Sequence, residues 1–207
     1  MLSELNKKSI SLKKVAKKAL EDKALLSELL KGILSKKEKI RFNSFKVLLS
    51  ISEERPEKLY PEWDFFADLL TSPNTYLKYI AIYIIANLTS DDPKNRFEKI
   101  FNKYYALLDD KSVIPPAHVA ANSAKIALAK PDLQTKITNK LLSIDKTHHD
   151  PGRKDLIKGY VIEAFSELFE GAKNKKKILQ FIREQRESKS PRTKKKAEEF
   201  LKKWDKD

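Results

Sequence analysis

The sequence contains no cysteine among its 207 residues, which excludes disulfides, thiolate zinc sites and cysteine nucleophiles. This absence is typical of intracellular proteins, and we expect a cytoplasmic location. There are only four glycines, too few and too scattered for a phosphate-binding loop. The most apolar stretch, residues 76–88, is 13 residues long. A membrane helix needs roughly 20 apolar residues, so we expect no spanning segment, and the first residues lack the apolar core of a secretory signal.

The residues that are abundant are lysine, glutamate, leucine and alanine, a composition that favours an all-helical protein. Net charge is +14, and it is concentrated at the two ends of the chain. Residues 1–40 carry +6 and residues 171–207 carry +8, whereas 41–110 carry −2 and 111–170 carry +2. Such ends attract acidic partners or nucleic acid. The alternative explanation of this terminal charge is that the lysines lie on solvated helix faces and keep the ends of the repeat array polar.

One pattern occurs five times along the chain. Each copy begins with a residue pair whose second member is basic and continues with a small or apolar residue three positions later. Four copies end with large apolar residues, and in the weaker copy, which begins at Ala117-His118, Lys125 occupies one of those positions. The basic positions are 41, 78, 118, 158 and 194, so the steps are 37, 40, 40 and 36 residues. A period of 20 to 50 residues indicates a repeat array. Because the spacing within each copy is helical, the pattern predicts a stack of helix pairs in which each pair buries its apolar face on its neighbours.

Proline, glycine and capping residues divide the chain into helices. For example, Asp91-Asp92-Pro93 predicts a helix start, and the segment from His148 to Gly152 predicts a loop. The predicted helices cover residues 11–20, 24–34, 38–52, 57 or 62 to 70, 75–88, 94–108, 116–129, 133–144, 155–170, 175–185 and 191–204.

This pattern resembles HEAT repeats of the armadillo-like superhelical class. The resemblance rests on Leu107–Asp110 leading to Ala117-His118, on Leu69–Pro73 leading to Leu77–Ala81, and on Ser190–Ala197, and it covers about residues 10 to 205. It implies an all-α solenoid of about five HEAT-like antiparallel helix pairs in a right-handed superhelix. The chain would then be a single domain, 1–207, with charged caps at about 1–35 and 172–207.

The resemblance also implies that the helices carrying the pattern line a concave face. The residues expected there are Asn43, Lys46, Tyr79, Tyr83, Asn87, Ser123, Tyr160 and Glu163. Tyrosine and asparagine contact peptides at low entropic cost and offer hydrogen bonds. The alternative is that these tyrosines are half-buried packing residues with hydroxyls in water. The basic ends contribute a second candidate surface, represented by Lys13, Lys14, Lys17, Lys176, Arg183, Lys194 and Lys195.

Residues with catalytic or metal-binding chemistry are few. His148-His149-Asp150 predicts a polar turn, because metal sites need three or four converging ligands and no further histidine or thiol lies at helical spacing. His118 has no serine or aspartate partner in the sequence. The helical-repeat DNA alkylation repair glycosylases combine a tryptophan, an aspartate and an arginine; here Trp63 and Asp68 are neighbours, but no arginine joins them. We therefore predict no catalytic residues, no metal and no cofactor.

Two functions follow from these observations. The first is a non-catalytic HEAT-like scaffold or adaptor that binds another protein through its concave face. That partner protein could be acidic. We expect the scaffold to be a monomer and to have no membrane partner. The second is a nucleic-acid-binding helical-repeat protein, similar to the DNA alkylation repair proteins but without glycosylase activity. Lysine-rich ends favour the second function through phosphate contacts, whereas the near-neutral middle of the chain disfavours a groove that grips duplex DNA.

Overall fold

The structure of the protein is a computed structural model, and it describes residues 11–205. Within that range it is all-α, without a strand, which confirms the predicted class. The helices are α1 (Leu12–Glu21), α2 (Lys23–Gly32), α3 (Glu38–Glu54), α4 (Pro56–Leu59), α5 (Trp63–Leu69), α6 (Thr75–Leu88), α7 (Arg96–Ala106), α8 (Ile114–Ala129), α9 (Gln134–Leu141), α10 (Pro151–Leu168), α11 (Lys175–Glu184) and α12 (Pro191–Trp204). None of the helices in this range combines the length and the apolar character needed to cross a bilayer.

The chain divides into two compact units, Met1–Arg96 and Phe97–Asp207. The first ten residues of the predicted N-terminal cap and the last two of the C-terminal cap lie outside the described range. That the whole chain forms a single domain stays a prediction.

Local capping explains why the helix bounds follow the sequence closely. Asn74 precedes α6, and its side chain accepts a hydrogen bond from the Tyr76 backbone N–H at 2.9 Å. Ser190 caps α12, with Pro191 in the first turn. Such residues satisfy the free amides of a first turn, and they do so whatever the rest of the chain does.

Three helix starts differ from the prediction by two or more residues, those of α7, α8 and α10, and α8 begins at Ile114, two residues early. Helix α10 begins at Pro151, four residues before the expected Asp155, because the Asp150 side chain accepts a hydrogen bond from the Arg153 backbone N–H at 3.0 Å. The predicted loop at 148–152 is therefore partly the first turn of that helix. Helix α7 begins at Arg96 after Asn95, which has a positive φ of 49°.

In the first unit, the two helices that carry the repeated pattern, α3 and α6, pack against each other. Helices α1 and α2 pack on α3, and α5 packs on α6. The side chains at the pattern's apolar positions, such as Leu48, Ile51 and Ile85, are fully or almost fully buried. These repeated apolar positions are thus part of the core of this unit.

In the second unit, the pattern-carrying helices α8, α10 and α12 contact one another in chain order. Helix α9 packs on α8, and α11 packs on α12. The apolar positions of α10, including Ile157, Val161 and Phe165, are fully buried. Alanines such as Ala120 and Ala124 are fully buried on α8, as expected where neighbouring helices approach closely.

Candidate partner-binding surface

In the first unit, three tyrosines of α6 lie on one side of the helix around a phenylalanine of α3. Tyr76, Tyr79 and Tyr83 are spaced by three and four residues, which places them on one helix face. Their ring centroids lie 6.4, 5.4 and 6.4 Å from the Phe45 centroid, in edge-on orientations. All three tyrosines are half-buried, whereas Phe45 is only 2% exposed. We call Tyr76, Tyr79 and Tyr83 the tyrosine face.

A cation borders the tyrosine face at its start. The Arg41 guanidinium lies 4.9 Å from the centroid of the Tyr76 ring, and Arg41 Nη1 donates to the Ser35 carbonyl at 3.1 Å. Burial raises the pKa of Tyr76, against the opposing effect of Arg41. The first basic position of the repeated pattern therefore contacts the start of the next pattern helix.

The other predicted residues of this unit are divided between surface and core. Lys46 is exposed, with its ammonium 5.5 Å from the exposed Phe42 ring. Asn43 and Asn87 are buried, at 9% and 3% exposed. Asn87 Nδ2 donates to Ser52 Oγ at 2.7 Å, and this bond joins α6 to α3. Of these three predicted residues, only Lys46 is exposed.

In the second unit, Tyr160 and Glu163 of α10 contact two basic residues of α12. The Arg192 guanidinium lies 4.9 Å from the Tyr160 ring centroid, and Arg192 Nη2 lies 3.3 Å from Glu163 Oε1. Lys196 pairs with the same Glu163 oxygen and lies 5.3 Å from the Tyr160 ring. The hydrogen bond between Arg192 and the Tyr160 hydroxyl raises the pKa of Arg192. The sequence prediction named the two α10 residues but not their partners on α12.

An open groove lies beside this cluster, between α8, α10 and α12. Its apolar part consists of Ala121, Ile162, Phe200 and Trp204. Its polar part is formed by Glu163, Ser166, Glu167, Lys196, Glu199 and Lys203. Glutamates and lysines are both present, so the groove does not have the uniformly basic lining that a phosphate backbone favours.

Ser123, which was predicted on the concave face, is fully buried. Its hydroxyl donates to the Val119 carbonyl at 2.7 Å and accepts a hydrogen bond from the Tyr105 hydroxyl at 3.2 Å. Full burial raises the pKa of Tyr105, so its phenol stays protonated and available as a donor. Ser123 therefore contributes to packing within this unit.

The basic-end residues are all exposed, on α1, α11 and α12. They are Lys13, Lys14, Lys17, Lys176, Arg183, Lys194 and Lys195. Arg183 is engaged, since its Nε donates to Asp205 Oδ2 at 2.7 Å, and this bond lowers the pKa of Asp205. Lys195 lies 3.9 Å from Glu199, a distance that makes a weak exposed pair.

The residues considered for catalysis lie in different places. Trp63 is 1% exposed, with its ring centroid 5.8 Å from that of Tyr60, so it has no open face on which a base could stack. Asp68 is exposed on the same short helix. His118 is half-buried, burial lowers its pKa, and its ring lies 6.2 Å from Tyr160.

The predicted polar turn at His148, His149 and Asp150 has a further neighbour, which comes from a distant part of the sequence. Asp109 lies beside His148 and His149, although it is 39 residues from His148 in the sequence. Asp150, the third residue of the sequence cluster, instead caps α10 and pairs with Arg153 at 3.2 Å. No local sequence signal connects Asp109 to the histidines, because contact between the two turns depends on how α7 to α10 pack.

The fold and these surfaces define the class of the protein, which is all-helical with a repeated sequence pattern on its helices. Comparisons with known proteins add little to this description. No family model matches the chain, and no curated protein matches it. One solved structure similar to it is that of an engineered protein from the Northeast Structural Genomics Consortium. The two share 16% identity over 97% of this chain and 94% of that chain, with a TM-score of 0.47. A similarity this distant supports no conclusion about fold or function.

Proposed function

We propose that this protein is a non-catalytic scaffold of HEAT-like helix pairs, stacked as a right-handed solenoid, that binds another protein through its pattern-carrying helices. The chain-order contacts of α8, α10 and α12, and of α3 with α6, support the stacked arrangement. In that arrangement the tyrosine face and the α10 residues Tyr160 and Glu163 belong to equivalent helices on the concave side.

The tyrosine face carries the proposal. Tyrosine offers a large rigid ring with few rotatable bonds, and binding hot spots are enriched in it. Phe45 supports the rings of Tyr79 and Tyr83 from below, at centroid distances of 5.4 and 6.4 Å. A rigid, half-exposed aromatic surface loses little side-chain entropy on binding.

Removing two of these rings tests the proposal. A partner is first captured from native lysate treated with nuclease, identified, and purified. We expect Tyr79→Ala and Tyr83→Ala each to weaken its binding by roughly 10- to 30-fold, as for hot-spot side chains. The measurement is the Kd by biolayer interferometry.

Leu34→Ala is the matched control for these variants. Leu34 is a large apolar side chain of the same unit, 50% exposed and outside the pattern helices, so its removal should leave the Kd within about twofold. Equal affinity of the wild type and both tyrosine variants for every partner retained after nuclease treatment would contradict the proposal.

Nucleic-acid binding is the second candidate, favoured by the exposed lysines of α1 and α12. Under the scaffold proposal we expect no saturable binding of a fluorescein-labelled 20-base-pair duplex at about 50 mM salt, where phosphate-driven affinity is strong. The measurement is fluorescence anisotropy at rising salt concentration. Saturable binding that weakens with salt, and that is lost in a Lys13→Gln, Lys14→Gln and Lys17→Gln triple variant, would instead establish the second function.

A further inference from the structure

Three residues with metal-ligand chemistry converge at one edge of the second unit. Asp109 lies in the 3-10 turn after α7, and His148 and His149 lie immediately before α10. One ligand atom from each residue lies within 4.8 Å of those of the other two. Two imidazoles and a carboxylate form a common donor set for zinc and related ions.

Backbone and side-chain contacts hold the aspartate in place. The His148 backbone N–H donates to Asp109 Oδ1 at 2.8 Å, and His148 Nδ1 lies 2.6 Å from the same oxygen. The backbone hydrogen bond, with the His148 side chain adding to it, lowers the pKa of Asp109. Since both contacts use Oδ1, Oδ2 remains available as a ligand.

His149 is the second, independent indication of a ligand. It is only 3% exposed, and its ring centroid lies 4.3 Å from that of His148. Among residues 11–205, neither Nδ1 nor Nε2 of His149 has a hydrogen-bond partner. Burying a polar group without a hydrogen-bond partner is unfavourable, and a bound ion would supply the missing partner.

We propose that Asp109, His148 and His149 bind a divalent transition-metal ion, with Zn²⁺ preferred. Bonds of about 2.0–2.2 Å from zinc to nitrogen and oxygen place ligand atoms about 3.4 Å apart around a tetrahedral ion. The cluster reaches that spacing by small rotations of Asp109 and His148, whose side chains are 55% and 52% exposed. The Arg153 guanidinium, an electrostatic neighbour of His149, is paired with Asp150 at 3.2 Å. The fourth position is left to water or to a side chain from outside the chain.

An ion at this position connects two turns that are distant in sequence. It joins the turn between α7 and α8 to the start of α10, and so links two consecutive helix pairs of the second unit. Because the unfolded chain does not hold the three ligands together, ion binding also stabilises the folded unit.

The experiment uses full-length protein without a histidine tag, stripped with a chelator. Co²⁺ is the spectroscopic probe, since it gives visible absorption bands when bound, and Zn²⁺ binding is measured by calorimetry. We expect one Co²⁺ per chain, displaced by one equivalent of Zn²⁺, and a rise in Tm with Zn²⁺. Asp109→Asn and His149→Gln should each weaken Zn²⁺ binding at least tenfold.

The chain supplies its own control, because its third histidine, His118, lies outside the cluster. His118→Gln should bind Zn²⁺ as the wild type does. Circular dichroism checks that the His149→Gln variant is folded. Because Asp109 is exposed, the Asp109→Asn variant tests the site without changing a buried side chain. Absence of a one-to-one Co²⁺ complex, unchanged affinity in Asp109→Asn, or an equal loss in His118→Gln would overturn the proposal.

Discussion

Phe45→Ala is expected to lower the free energy of unfolding by about 3–5 kcal/mol, the usual cost of deleting a fully buried phenylalanine. Phe45 is 2% exposed, and its ring contacts all three residues of the tyrosine face. Its removal leaves a cavity between α3 and α6 that the stiff tyrosine rings cannot fill. The measurement is urea unfolding followed by circular dichroism, with the m-value checked for constancy.

Phe42→Ala is the matched control, with the same substitution three residues earlier on α3. Phe42 is 45% exposed, so its removal should change stability by less than about 1 kcal/mol. If the two variants lost the same stability, the packing of α6 on α3 described above would be wrong.

Gly159→Ala is expected to destabilise the second unit by about 1–3 kcal/mol, although alanine is the better helix former. A Cβ at Gly159 would lie 2.7 Å from Thr193 Oγ1. Thr193 is 1% exposed, and its hydroxyl donates to the Asp155 carbonyl at 2.7 Å, so it cannot turn away without losing that bond. Overpacking costs about 1–3 kcal/mol and the bond about 1 kcal/mol, which together exceed the roughly 1 kcal/mol of helix propensity gained.

A double-mutant cycle checks this reason by urea unfolding. In a Thr193→Ala background the hydroxyl is absent, so Gly159→Ala should become neutral or stabilising by up to about 1 kcal/mol. The same loss in both backgrounds would show that the close approach of α10 to α12 is not the cause.

The helices were largely predictable from the sequence because their ends are local events. The side chains of Asn74 and Ser190 accept hydrogen bonds from first-turn amides of α6 and α12, and they do so in any tertiary context. Pro191 fits the first turn of α12 for the same local reason. The predicted start of α10 lies four residues too late, because Asp150, predicted in a loop, caps the helix with its side chain. Asp150 followed by Pro151 carries that capping signal in the sequence itself.

The candidate surface was less predictable. Helical spacing identifies residues that share a side of a helix, but it does not say whether a neighbouring helix covers that side. Tyr79 and Tyr83 remain half-exposed, whereas Asn87 and Ser123, predicted on the same surface, are buried by hydrogen-bonded packing. The Arg192 and Lys196 contacts to Tyr160 and Glu163 lie about 30 residues apart in sequence, where no local pattern pairs them.

The sequence by itself determined the all-α class, the order of the helices and the apolar positions of each pattern helix, because propensity, capping and periodicity act over a few residues. The tertiary structure alone decided which polar side chains stay at the surface and which distant residues meet, including Asp109 with His148 and His149. Those contacts depend on the angles and distances between packed helices, and many sequences with the same local pattern could pack differently.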